Sequence, residues 1–97
     1  MTEQQENTQM FPDKLDNADV LYYTFRNDFS VRKGADGESP VRIHYFAICK
    51  YEDSPVFYLF ECNGDLEVEF DYDCDSVDEC KSLAGNLTNC QVVWIKK

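Results

Sequence analysis

Apolar and acidic residues alternate most cleanly late in the chain, where Leu66, Val68, Phe70 and Tyr72 interleave with Glu67, Glu69, Asp71 and Asp73. A period of two belongs to a β-strand, whose successive side chains point to opposite faces. The pattern predicts a strand over 65–73 with one face on the core and one in water. Val41 to about Tyr51 predicts a longer strand. It alternates in its first half and is apolar on both parities in its second, as in a central strand partly covered on its other face. Val56 to Cys62 is again apolar on both parities. Asp19 to Arg26 is rich in β-formers and predicts a further strand, which Phe29 and Val31 either continue past a bulge or follow as a short second one. Arg32 to Pro40 carries turn chemistry and predicts a loop.

Asn63-Gly64 sits between two of these apolar runs and predicts a hairpin with a type I′ turn. Ser76 with Glu79 three residues on has the form of a capping box. Val77, Cys80, Ala84 and Leu87 then recur at helical spacing, so a helix is expected from 77 to about 84 or 88, with Gly85 blurring its end. Gln91 to Lys96 predicts a closing strand. If it shares the sheet, the helical crossover makes it run parallel to strand 65–73. The fold class expected is α+β: a two-layer sandwich with a mostly antiparallel sheet of four or five strands and one helix on one face, in β-β-β-β-α-β order. Residues 1–17 read as a flexible arm, with Phe11 a candidate for docking after Pro12 turns the chain, and 18–97 as one domain.

Size and composition narrow the classes of function. Ninety-seven residues hold one modest core, which argues against a two-domain enzyme, a doubly wound nucleotide-binding fold or a β/α barrel. No apolar run reaches the roughly 18–20 residues of a membrane span. The polar start MTEQQENTQM has neither basic n-region nor apolar h-region, so a cytoplasmic protein is expected. Five cysteines, an odd number with no Cys-x-x-Cys spacing, predict free thiols packed as small core residues rather than a zinc site.

The formal charge is −10, and its distribution is uneven. Every acid between 52 and 80 is uncompensated by a base within that stretch, whereas 81–97 carries Lys81, Lys96 and Lys97 and no acid. Such acidity disfavours nucleic acid and anionic membranes as partners and favours a basic protein surface or a metal cation. Glu67, Glu69, Asp71 and Asp73, with Asp65 at the start, would form a straight row of carboxylates, alternate residues of a strand repeating every ~6.6–6.8 Å. Glu61 and the tyrosines Tyr58 and Tyr72 would flank the row, since Tyr is favoured at protein interfaces. The bland alternative is a solvated strand face, the default for outward Asp and Glu.

No catalytic constellation emerges. His44 is the single histidine, and no nucleophile signature surrounds any cysteine. Asp71-x-Asp73-x-Asp75 resembles the opening of a calcium loop, but Ser76 and Ser82 stand where the turn Gly and bidentate Glu belong. Neither cofactor nor metal is expected. In size, charge, β-content and free cysteines the profile is similar to that of small acidic bacterial immunity proteins, which neutralise basic nuclease toxins. The resemblance implies a non-enzymatic inhibitor that occupies the positive groove of a toxin or nuclease. Two other readings remain open: a nucleic-acid-mimicking inhibitor of a defence or DNA-binding enzyme, and a structural or regulatory domain that homodimerises through a sheet edge.

Overall fold

The computed structural model describes residues 11–34, 36, 37 and 39–97. Its elements are β1 (Lys14–Leu15), β2 (Ala18–Tyr23), β3 (Ser30–Lys33), β4 (Pro40–Ile43), β5 (Tyr45–Lys50), β6 (Phe57–Cys62), β7 (Val68–Cys74), α1 (Val77–Leu87) and β8 (Ile95–Lys96). The fold is a small α+β one, a curled antiparallel sheet with one helix. Six strands form the main sheet in the order β1-β2-β5-β6-β7, with β8 also paired to β2. β3 and β4 form a separate two-stranded hairpin.

The expected strand order holds only roughly. Val41–Tyr51 is not one strand but two, because the chain changes partners at His44. β4 pairs with β3, and β5 pairs with β2 and β6. At the junction His44 N–H bonds the Cys62 carbonyl, and His44 Nδ1 lies 2.9 Å from the Asn27 carbonyl. The 32–40 loop is shorter than expected, since β3 and β4 take both of its ends. The closing strand is cut to two residues. It pairs antiparallel to β2, at the opposite side of the sheet from β7. It therefore points the same way as β7, as the crossover requires, with β2, β5 and β6 between them.

Both faces are buried at the centre of the sheet, in β5 and β6, while the solvated face expected of 65–73 persists at the β7 margin, where Asp71 and Asp73 are exposed. The helix side packs Phe29, Ile43, Phe46, Ile48, Leu59, Cys74, Cys80 and Ala84, with Trp94 against it. The other side packs Val20, Tyr45, Ala47, Cys49, Phe60 and Cys62 under Phe11 and Leu15. The second layer comes from residues read as a flexible arm. Leu15 pairs with Ala18 across a two-residue turn in which Asp16 and Asn17 have φ of 49° and 69°. Those are the left-handed conformations of a type I′ hairpin, which Asn and Asp tolerate best after Gly. Phe11 stacks on Tyr23 at 4.5 Å and meets Tyr45 edge-on at 5.9 Å. Lys97 secures this segment through its ammonium, 3.0 Å from Asp13 Oδ1 and bonded to the Phe11 carbonyl. The folded part therefore begins by residue 11; residues 1–10 of the predicted arm lie outside the described residues.

Two irregularities curl the sheet. The β2–β5 register shifts between Val20 and Tyr22, and the β6–β7 register shifts at Glu61 and Cys62. Each inserts one residue, Leu21 and Glu69 respectively, and a one-residue slip sends the following side chains to the opposite face. So Val20 packs on one side of the sheet and Tyr22 on the other.

Helix α1 begins as its sequence predicts. Ser76 Oγ accepts the Glu79 N–H at 3.1 Å, while the Glu79 carboxylate reaches back to the Asp75 N–H, one residue beyond the N-cap amide of the usual box. Replacing Ser76 with Ala is expected to cost about 1 kcal/mol in denaturant melts. An unchanged midpoint would show that Asp78 and Glu79 alone hold the first turn. Gly85 lies inside the helix, exposed, with nothing within 4 Å of an added Cβ. Gly85→Ala should therefore stabilise by about 0.5–1 kcal/mol by removing backbone freedom from the unfolded chain. A loss of stability would reveal a contact made by residues 85–88 that the helix geometry does not contain.

Candidate functional site

β7 forms one margin of the sheet, and among the described residues no strand pairs with its outer edge. It follows a tight turn built on Asn63. The Leu66 N–H bonds the Asn63 carbonyl at 3.1 Å, and the Asn63 N–H bonds the Glu67 carbonyl at 3.0 Å. Leu66 itself is left-handed, with φ 63°, while Gly64 is not. The predicted type I′ turn is therefore replaced by a three-residue loop ending in a left-handed residue, the other common hairpin solution. Asn63 explains the choice. Its Oδ1 accepts the N–H groups of Asp65 and Glu67, at 2.8 and 3.0 Å. Its Nδ2 donates to Glu67 Oε1 at 2.8 Å and Glu69 Oε2 at 2.7 Å.

This clamp and the Glu69 bulge reshape the acidic row. Leu66 and Val68 pack on the side away from the helix, but Phe70 and Tyr72 pack on the helix side. The expectation that all four share one face fails at the bulge. Glu67 precedes the strand and shares one amide nitrogen with Glu69. Asp71 and Asp73 stand opposite Phe60 and Tyr58 and so point away from the helix. The carboxylates form two pairs along a bent edge, not a straight ladder. Asp65, Glu67, Glu69, Asp71 and Asp73 are all exposed. Among the described residues none of them makes an ion pair. Arg42 is engaged by Asp28 at 3.3 Å, and Lys50 Nζ reaches only the Tyr51 carbonyl at 3.5 Å. Arg26 borders an open groove with Glu69 and Asn63, but it is held by the Gly64 carbonyl at 3.1 Å.

Tyr58 belongs to this surface, half-buried beside Asp73 and in edge-to-face contact with Tyr51 at 5.4 Å. Tyr51 extends the same side, its hydroxyl donating to the Asp16 carbonyl at 3.1 Å. Partial desolvation, with the Asp16 carboxylate nearby, raises its phenol above the ordinary value, so it is a neutral donor at physiological pH. The sequence pattern marks Asn63 as a turn residue, but it gives neither Asn63 nor Tyr51 a place among the site residues. Their strand-end and turn positions acquire meaning only once β6 and β7 are paired.

Glu61 and Tyr72 do not belong to the acidic surface. Glu61 has 0% exposure and points to the helix side, opposite Phe46 and Phe70. Its carboxylate meets Arg32 Nε at 2.9 Å and accepts the Tyr72 hydroxyl at 3.0 Å. The same guanidinium donates to the Leu87 carbonyl at 3.3 Å, at a helix end with no basic residue of its own. Burial, then the adjacent Glu61 carboxylate, raises the Tyr72 phenol. This trio joins β3, β6, β7 and the helix end, and it is structural. One sign in the sequence was present: a single acid inside a strand apolar on both parities has to be buried and paired. Its cation, in a different hairpin, had no local mark.

All five thiols are free, and four are buried. Desolvation raises Cys49, Cys74 and Cys80 and pushes Cys62 up to about 12, so these groups stay protonated core residues and not nucleophiles. Among the described residues no three histidine, cysteine or carboxylate groups gather to hold a metal ion, and no helix is long and apolar enough to cross a membrane. No protein-family model, curated protein or solved structure matches the chain.

Proposed function

We propose that this protein is a small acidic protein-binding module, acting as an immunity-type inhibitor that covers the positive groove of a basic, nuclease-like partner. The observation that carries this reading is the row of exposed carboxylates from Asp65 to Asp73, none ion-paired within the described fold, beside Tyr51 and Tyr58. Uncompensated like charges cost folding stability, and a basic surface offsets that cost on docking while the field speeds encounter. Mimicry of a nucleic-acid backbone is less favoured, because the Glu69 bulge breaks the regular repeat. Homodimerisation through β7 is disfavoured by the meeting of two acidic edges.

The test uses Asp71→Lys with Asp73→Lys, two exposed positions that belong to neither buried cluster. A basic partner captured from the source cell is measured against the parent and the variant at low and high ionic strength. Stability should hold or rise slightly, while the on-rate at low salt should fall about tenfold or more and lose most of its salt dependence. Equal association by parent and variant at both salts would remove the acidic surface from the interface.

A further inference from the structure

The two margins of the sheet are built differently. One edge of β2 is closed end to end by β1 and β8, two residues each. The other margin is β7, seven residues long and the longest of the described strands. Among the described residues, no main-chain group of Val68–Cys74 has a hydrogen-bond partner beyond the β6 side. A free edge of this length is a template for another strand, and proteins usually blunt one with proline, lysine or brevity. β7 has none of these, and its one bulge lies near its start, leaving Phe70–Cys74 regularly paired to β6. Its only guard is negative charge. That guard repels a second copy of this acidic chain, but it is no obstacle to a basic strand.

We propose that the partner engages by strand addition: an extended segment with lysine or arginine at alternate positions adds to the outer edge of β7. Its basic side chains lie over Asp71 and Asp73, beside Tyr58. Its intervening side chains meet the margin of the helix-side layer at Phe70 and Tyr72. Main-chain bonds supply affinity and the alternating charge sets the register, as in other edge-binding modes. The inference rests on the acidic-docking reading above and specifies how that surface is used.

The probe is a decapeptide alternating lysine with valine, tested on the full-length protein beside two analogues. One is N-methylated at every odd backbone amide and one at every even amide. In a β-ladder only alternate amides of the added strand face the sheet. One methylated analogue should therefore bind like the parent peptide and the other at least tenfold more weakly. Amide exchange of Phe70–Cys74 should slow when the parent peptide is present. Equal binding by both analogues overturns strand addition and leaves docking by charge intact. Failure of the parent peptide to bind overturns it too. If folded basic nuclease domains then bind the protein and lose affinity for Asp71→Lys/Asp73→Lys, the acidic-docking reading stands; if they also fail to bind, both fall. Concentration-dependent protection of β7 without peptide would identify a second copy as the occupant and overturn the proposal.

Discussion

Arg32→Ala is expected to destabilise the protein by about 3 kcal/mol, measured as the shift in denaturant midpoint multiplied by an unchanged slope. The cause is the carboxylate left behind. Glu61 is fully buried, and Arg32, itself 26% exposed, is its sole cationic partner among the described residues. Removing one member of a buried pair costs about 3–5 kcal/mol because the survivor keeps its desolvation penalty. The lower end applies because the Tyr72 hydroxyl still donates to Glu61 and water can enter through the space Arg32 vacates. The same substitution deprives the Leu87 carbonyl of its donor. A control separates these contributions. Replacing the trio together, as Arg32→Met, Glu61→Leu and Tyr72→Phe, should recover most of the loss, since apolar residues of similar volume carry no desolvation cost. A single Arg32→Ala variant as stable as the parent would mean that Glu61 reaches solvent by another route.

Phe11→Ala should cost about 3 kcal/mol, near the lower end of the range for a buried Phe. Phe11 is only 6% exposed, and it roofs the side of the sheet away from the helix through its contacts with Tyr23 and Tyr45. Without the ring, that side loses its cover over Val20, Ala47 and Cys49. The effect is readable in two ways. The unfolding midpoint should fall, and the buried thiols of Cys49 and Cys62 should react faster with a thiol reagent under native conditions. A flexible arm would produce neither change, so normal stability and normal thiol protection in this variant would detach residues 11–17 from the cooperative core.

Local chemistry accounts for what was legible in the sequence. The Ser76 cap, the helical stripe from Val77 to Leu87 and the strands over 57–62 and 68–74 all arise from bonds and periodicities spanning a few residues. The doubly apolar run after Tyr45 marked the centre of the sheet, because a strand buried on both faces must be apolar on both parities. The crossover argument correctly oriented the last strand, since a helix returns the chain to its starting end before it re-enters a sheet. It did not place that strand beside β2, because neighbour choice depends on which edge is still open.

The remaining features were decided by contacts between distant residues. Asn63-Gly64 reads as a type I′ turn and Asp16-Asn17 as part of a flexible arm, yet the type I′ geometry belongs to Asp16-Asn17, because the Asn63 side chain clamps Asp65, Glu67 and Glu69. The alternation from Leu66 to Tyr72 is real, but a bulge at Glu69 divides it between two faces, and bulges leave little trace in a hydropathy pattern. Glu61 left the surface because Arg32, 29 positions away, was brought to it by the separate β3–β4 hairpin. The sequence by itself therefore determined an acidic α+β domain with a capped helix and a carboxylate-rich strand, since charge, capping and period are local properties. The tertiary structure alone decided that, among the described residues, this strand is a free edge and its acids lack ion pairs, and that Phe11 and Leu15 roof the core, since each depends on which segments become neighbours.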